Sequence, residues 1–423
     1  MEASADGLHW TYSPMVDICR EPRWGRIAEG AGEDTWLGSK IAAAKVKGYQ
    51  GDLNTTDNIL ACVKHFALYG AIQAGRDYNT VDMGRREMFE TYLPPYKAAI
   101  DAGAASVMTS FNEIDGIPAT GNKWLMTDLL RNQWGFKGFV VTDYTAINEM
   151  INHGVGANEY EVGALAINAG VDMDMQDSVY YNQLKKLVGD KKVAIATIDL
   201  AVKRVLEAKY KMGLFDDPYR FINEERASRQ IMTKESLEFA RDFARKSIVL
   251  LKNNNQLLPL KKSGNIAVIG PVASNKRDMI GNWSAAGDWN KAVSLLDGIK
   301  AKVSHVANIL YSKGANIIDD KELLQQLNSN GGNILIDSLP AAELIRKAVE
   351  TAKKAEVVIM ALGESQGMTG EAASRSEIGI PENQKILLKA IQATGKPVVL
   401  VLSNGRPLTI GWEQDNINAI LET

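Results

Sequence analysis

The sequence predicts an α/β chain in two parts. The first is a TIM-type barrel that lacks some of its strands, and the second is an open, doubly wound α/β sandwich. Three observations carry this. Strand–loop–helix units repeat through the first half, which implies a parallel sheet and, in such number, favours a closed barrel. The texture changes around Phe215–Lys234, after which short apolar strands resume. The chain has 423 residues, 45% hydrophobic and 23% charged, which is ordinary for a globular α/β protein and too long for one domain.

Strand candidates in the first part are His9–Ile18, Ile59–Ala67, Ala105–Asn112, Phe139–Asp143 and, more weakly, Gly170–Met175. Helical patterns are predicted at Asp34–Lys47, Arg85–Ala102, Lys123–Gln133, Glu159–Asn168 and Ile198–Met212. About five or six of the eight barrel repeats can be counted, so the others are expected before residue 1. Asp216-Asp217-Pro218-Tyr219 stops the last helix, and the polar stretch Asn223–Gln230 reads as a linker. The domains are therefore drawn at 1–215 and 246–423, with a linker at 216–245.

In the second part a helix over Lys234–Lys246 leads to a strand at Ser247–Leu251. Asn265–Pro271 is a short parallel-type strand, the helix Ala341–Ala355 feeds Val357–Gly363, and the helix Pro381–Thr394 feeds Pro397–Leu402. Ligands of such a sheet sit at the C-terminal ends of its strands. Neither G-x-G-x-x-G nor a P-loop motif is present, which argues against a nucleotide site.

Met1–Gly7 has no basic region or apolar core, so it is not a signal peptide, and it runs straight into an apparent core strand. The other end stops inside the apolar segment Ile417–Thr423. Both ends are expected to be cuts through a longer protein. A net charge of −3 gives no pull toward nucleic acid or an anionic membrane. No apolar run reaches the roughly eighteen residues a spanning helix needs. The two cysteines, Cys19 and Cys62, lie in apolar segments and read as buried free thiols. No Cys/His cluster has metal-site spacing, so neither metal nor cofactor is expected.

The first part is organised around Gly135–Tyr144, where a glycine-bounded apolar strand ends on Asp143. A buried carboxylate is costly unless paired, yet at a barrel strand end it points into an active site. Two readings weigh equally: a catalytic carboxylate, or a cap for a helix starting near Ala146. Other strand ends deliver Lys64-His65 and Met108-Thr-Ser-Phe111-Asn112, and the loop after the first strand carries Arg20–Arg26. In a barrel these converge on one mouth. Charged groups with aromatic faces suit an uncharged, hydroxyl-rich ligand such as a sugar. The plainer readings are a locally satisfied Lys64–His65 pair and a structural salt-bridge network over Arg20–Arg26. In the second part the glycine-bearing loop Gly363–Arg375 offers Glu364 and Glu371 as acids, unless they are simply solvated. Glycosidases use two carboxyls, about 5 Å apart in retaining enzymes, and each domain here could supply one.

Pro14–Arg26, Lys64–Phe66, Trp134–Asp143, Tyr210–Pro218, Leu250–Asn253 and Gly363–Arg375 resemble glycoside hydrolase family 3, in order and over essentially the whole chain. The match is to the periplasmic β-glucosidase type of Gram-negative bacteria. The resemblance implies an incomplete (β/α)8 TIM-type barrel followed by an incomplete (α/β)6 sandwich. It implies Asp143 as nucleophile, although Thr-Asp-Tyr stands where Ser-Asp-Trp or Ser-Asp-His is usual. Tyr144 would then form an aromatic wall beyond the scissile bond. Glu371, in preference to Glu364, falls at the acid/base position. Arg26, Lys64, His65 and Arg76 match hydroxyl-binding positions, and Met108 and Phe111 match pocket-lining ones. Phe111 stands where many relatives have Tyr, which removes one hydrogen bond. Lys64 or an arginine is expected to keep Asp143 ionised, and partial burial to keep Glu371 protonated.

The substrate implied is a β-linked oligosaccharide or glucoside, cleaved by double displacement. The resemblance leaves a homodimer open and places the full-length parent in the periplasm or outside the cell. A strand whose aspartate binds the outer sugar hydroxyls lies upstream of this chain in the family, so the 423-residue chain alone is expected to be unstable or weakly active. Three enzymatic alternatives stay within the family: β-xylosidase, exo-glucanase and N-acetylglucosaminidase. The last carries a further His after Lys-His-Phe, where this chain reads Ala67-Leu-Tyr-Gly-Ala. Outside the family's activities stand a silent carbohydrate-binding protein, which would have lost a carboxylate, and a Schiff-base lyase using Lys64.

Overall fold

Three short strands carry the first unit: β1 (Cys62–Phe66), β2 (Ser106–Thr109) and β3 (Phe139–Val141). They pair in that order and all run parallel. Apart from half-buried Lys64 every residue in them is buried, as expected of parallel strands covered on both faces. Cys62, Met108, Phe139 and Val141 share one apolar cluster. Burial there pushes the Cys62 thiol up to about 12. The computed structural model describes residues 1–329 and 334–423. These fall into two units: Met1–Glu21 with Glu29–Leu237, and Pro22–Ala28 with Glu238–Thr423.

The predicted strand His9–Ile18 is not continuous. The segment runs beside β1 and meets it in single parallel bridges, Trp10 to Leu60 and Met15 to Lys64. Pro14 has no N–H to give, so it accepts from Lys64 N–H (3.1 Å) and the ladder breaks around it. Gly170–Met175 contributes one bridge, Met173 to Val141. The helical pattern over Arg85–Ala102 is broken into Arg85–Glu87, a π-helical turn at Met88–Tyr92 and the helix Pro94–Asp101, since Pro94 and Pro95 cannot donate to the preceding turn. The stretch Asn223–Gln230 is a capped helix over Glu224–Gln230. The Asn223 carboxamide accepts from Arg226 N–H at 3.0 Å, and acidic residues open the first turn.

The second unit holds a six-stranded sheet. Its strands are β4 (Val249–Asn253), β5 (Gly264–Ile269), β6 (Ala307–Ser312), β7 (Val357–Gly363), β8 (Val398–Ser403) and β9 (Ala419–Glu422), in the order β4-β9-β8-β7-β5-β6. All neighbours are parallel except β4, which runs antiparallel to β9. Ala348, Leu387 and Ile391 of the helices Ala341–Lys353 and Glu382–Gln392 belong to one core cluster. Leu296, Val303 and Leu327, from helices Leu295–Val303 and Lys321–Ser329, belong to a second core cluster. β7 ends at Gly363, with φ +148°, where an added Cβ would lie 1.9 Å from the Ser403 carbonyl oxygen. Only glycine lets β7 and β8 run this close before the loop to Arg375 begins.

Candidate active site

β3 hands the chain to Asp143 at its C-terminal end, and the carboxylate is buried there. Its Oδ1 accepts the Tyr144 N–H at 2.7 Å. The helix Ala146–Asn152 is capped by another residue. Ile147 N–H (2.9 Å) and Asn148 N–H (3.2 Å) donate to Asp177 Oδ2, and the Asn148 carboxamide donates to Oδ1 (2.8 Å). The capping role weighed for Asp143 is thus filled by Asp177.

Asp143 Oδ2 lies 3.4 Å from Nε2 of the fully buried His65. On its other side His65 Nδ1 lies 2.9 Å from Asp17 Oδ2, which also accepts the His65 backbone N–H at 3.0 Å. The Tyr96 hydroxyl bonds Asp17 Oδ1 and sits 2.6 Å from the His65 carbonyl. Burial, then the Asp17 charge, holds the Tyr96 phenol well above its ordinary value. His65 thus stands between two carboxylates, with Asp17 fixing the ring through Nδ1 and the backbone N–H. Lys64 Nζ stands 3.6 Å from Glu29 Oε2. Met108 belongs to the apolar cluster of the strands. Phe111 is buried edge-on to Tyr78, ring centroids 4.9 Å apart, and beside Tyr69, whose ring in turn meets His65 at 5.3 Å. Arg76 and Tyr144 are exposed.

In the second unit the two acids of the loop after β7 differ sharply. The Glu364 side chain is 1% exposed; its Oε1 accepts Nε of Arg406 at 3.0 Å and is bonded by Arg375 as well. Glu364 is thus held between two guanidiniums. The Glu371 side chain is 23% exposed, and its Oε1 lies 3.7 Å from Nη1 of the buried Arg26. The sequence groups Arg26 with the barrel loops; its contacts include Glu371 and the Trp283 ring, 5.8 Å from its Cζ. Among the described residues no group of three or more His, Cys, Asp and Glu could hold a metal ion.

Residues 1–208 match the Glycosyl hydrolase family 3 N terminal domain, and residues 248–423 match the Glycosyl hydrolase family 3 C-terminal domain. The chain belongs to glycosyl hydrolase family 3. It is 48% identical over its whole length to a periplasmic beta-glucosidase of Salmonella typhimurium and 36% identical to a beta-xylosidase of Formosa agariphila. It covers 56% and 58% of those two proteins, so it spans somewhat over half the length of the curated relatives it matches. A crystal structure of beta-glucosidase from Listeria innocua in complex with glucose superimposes with TM-score 0.89 at 40% identity, covering 99% of this chain and 55% of that one. The fold is that of family 3, a TIM-type unit followed by an α/β sandwich.

Several side chains that contact the candidate site residues of this family 3 chain escape the sequence-level reading. Asp17 lies in an apolar segment, the same signal that marks Asp143, and could have been found that way. Tyr96, Trp283 and Arg406 carry no local mark, because their partners are distant in sequence.

Proposed function

We propose that this chain carries the catalytic carboxyl groups of a retaining, exo-acting β-glucosidase that removes terminal β-D-glucosyl residues from oligosaccharides. Asp143 attacks the anomeric carbon while the C–O bond to the leaving group breaks and Glu371 gives its proton to the departing oxygen. Glu371 then takes a proton from water, whose oxygen displaces Asp143 and releases the sugar. The observation that carries the reading is a buried strand-end carboxylate, relieved of helix capping by Asp177 and facing an imidazole braced by Asp17. The imidazole Nε2 of His65 stands 3.4 Å from the Asp143 carboxylate, and the Lys64 ammonium stands 3.6 Å from Glu29. In the same reading Arg26, Lys64, His65 and Arg76 bind hydroxyls, Met108 and Phe111 line the pocket, and Tyr144 walls the leaving-group side. The name of the Salmonella relative supports a periplasmic location for the parent protein.

A second reading, β-xylosidase, is favoured by the Formosa relative, 36% identical across the chain. Initial rates with matched aryl β-glucoside and β-xyloside separate the two. Azide assigns the carboxyls. Rescue of Glu371→Ala with formation of the β-glycosyl azide is expected, as is rescue of Asp143→Ala with formation of the α product. If Glu371→Ala leaves turnover untouched, the acid/base assignment is wrong.

A further inference from the structure

Arg406 follows β8 in the second unit and is buried. Every N–H of its guanidinium has an acceptor. Nε donates to Glu364 Oε1 at 3.0 Å. Nη1 donates to the carbonyls of Pro22 (3.1 Å) and Arg23 (2.8 Å). Nη2 donates to the carbonyls of Met368 (2.5 Å) and Ala373 (2.8 Å). Met368 and Ala373 lie on either side of Glu371. The segment Pro22–Ala28, which carries Arg26, is bound to the same loop by its backbone. Gly370 N–H donates to Gly25 O at 2.7 Å, and Arg375 N–H donates to Arg23 O at 3.1 Å. An added Cβ on Gly25 would lie 2.2 Å from the Gly370 carbonyl oxygen.

We propose that Arg406 is a positioning residue for the acid/base: one guanidinium, fixed by Glu364, pins the loop backbone on both flanks of Glu371 and ties it to the strand of chain bearing Arg26. The loop between β7 and Arg375 has little regular structure of its own, only the turn Gln366–Met368. Side-chain-to-backbone bonds therefore do what a helix or strand does elsewhere. A planar fork of donors is needed to reach four carbonyls and a carboxylate together, which a lysine ammonium cannot do. The proposal rests on the reading of Glu371 as acid/base.

The test uses leaving groups. A dinitrophenolate departs without a proton, whereas an alkyl alcohol or a second sugar needs one, and a placed acid contributes roughly 10²–10⁴-fold. Arg406→Ala and Arg406→Lys are expected to lose on the order of 10²-fold in kcat/KM on cellobiose, and under about threefold on dinitrophenyl β-glucoside, the same samples reporting intact nucleophile and fold. Gly25→Ala, which leaves Arg406 intact, is expected to give the same split. Equal losses on both substrates, or no loss on either, in these variants overturns the proposal; should Arg406→Ala fail to fold, Gly25→Ala decides. Glu371→Ala run alongside keeps the two failures apart. Without a leaving-group split in Glu371→Ala the acid assignment falls. With it, and with none in Arg406→Ala or Gly25→Ala, the positioning role alone falls.

Discussion

Asp143 stands two residues beyond the end of β3, a strand buried at every position, whereas Glu371 stands inside a loop with little regular structure. The first carboxylate follows a paired strand, with its Oδ1 accepting the Tyr144 N–H and its Oδ2 3.4 Å from a buried imidazole. The second has no such frame, and its loop is held by a guanidinium bonded to backbone on either side. Strand ends locate groups by pairing that many residues enforce. Loops locate them through a few side chains, so each of those contacts carries more of the burden.

The largest expected effect comes from removing the strand-end group. Asp143→Ala is expected to lower kcat on aryl β-glucosides by on the order of 10⁴-fold or more, measured at saturating substrate, because it removes the group that forms the covalent intermediate. Glu371→Ala is expected to lose roughly 10²–10⁴-fold on poor leaving groups, read as kcat/KM on cellobiose. Comparable losses for Asp143→Ala on every leaving group, against selective losses for Glu371→Ala, would sharpen the contrast between the two regions. Reversal of that pattern would break it.

Next come two buried carboxylates, Glu364 and Asp17, each bonded to cationic or imidazole groups. Glu364→Gln leaves two guanidiniums short of their counter-charge. It is expected to destabilise the protein by about 3–5 kcal/mol in urea unfolding, with no azide rescue of any lost activity. Asp17→Asn removes the partner of His65 Nδ1 and is expected to cost about 3 kcal/mol by the same measurement. The smallest effect concerns Cys62. With its thiol pushed up to about 12, maleimide at neutral pH is expected to leave it unmodified in the folded protein. Because its folded pKa is raised above the ordinary 9.0, its contribution to stability is present below pH 9 and fades as pH climbs toward 12, which pH-dependent unfolding can follow.

Much of this was legible in the sequence where local pattern and final environment agree. Phe139–Val141 reads as a buried strand and is one, and Val357–Gly363 and Pro397–Leu402 likewise become β7 and β8. Legibility fails where tertiary partners decide. Ala307–Ser312 includes Asn308 and forms half-exposed β6 at a sheet edge, so its alternation is weak. The polar run Glu224–Gln230 looks like linker because no residue in it is buried, yet Asn223 caps it as a helix. Asp143 could be singled out by its strand, but whether it capped a helix turned on Asp177, far along the chain. That Arg375 and Arg406 hold Glu364 follows from no spacing rule.

The account stands on Asp143 forming the covalent bond to the sugar. An activated deoxyfluoroglucoside, which forms the glycosyl-enzyme and releases it slowly, tests this when followed by proteolysis and mass spectrometry. The added mass is expected on the peptide containing Asp143 and to vanish in Asp143→Ala. Label on the peptide carrying Glu364 or Glu371, or stoichiometric label in Asp143→Ala, contradicts it.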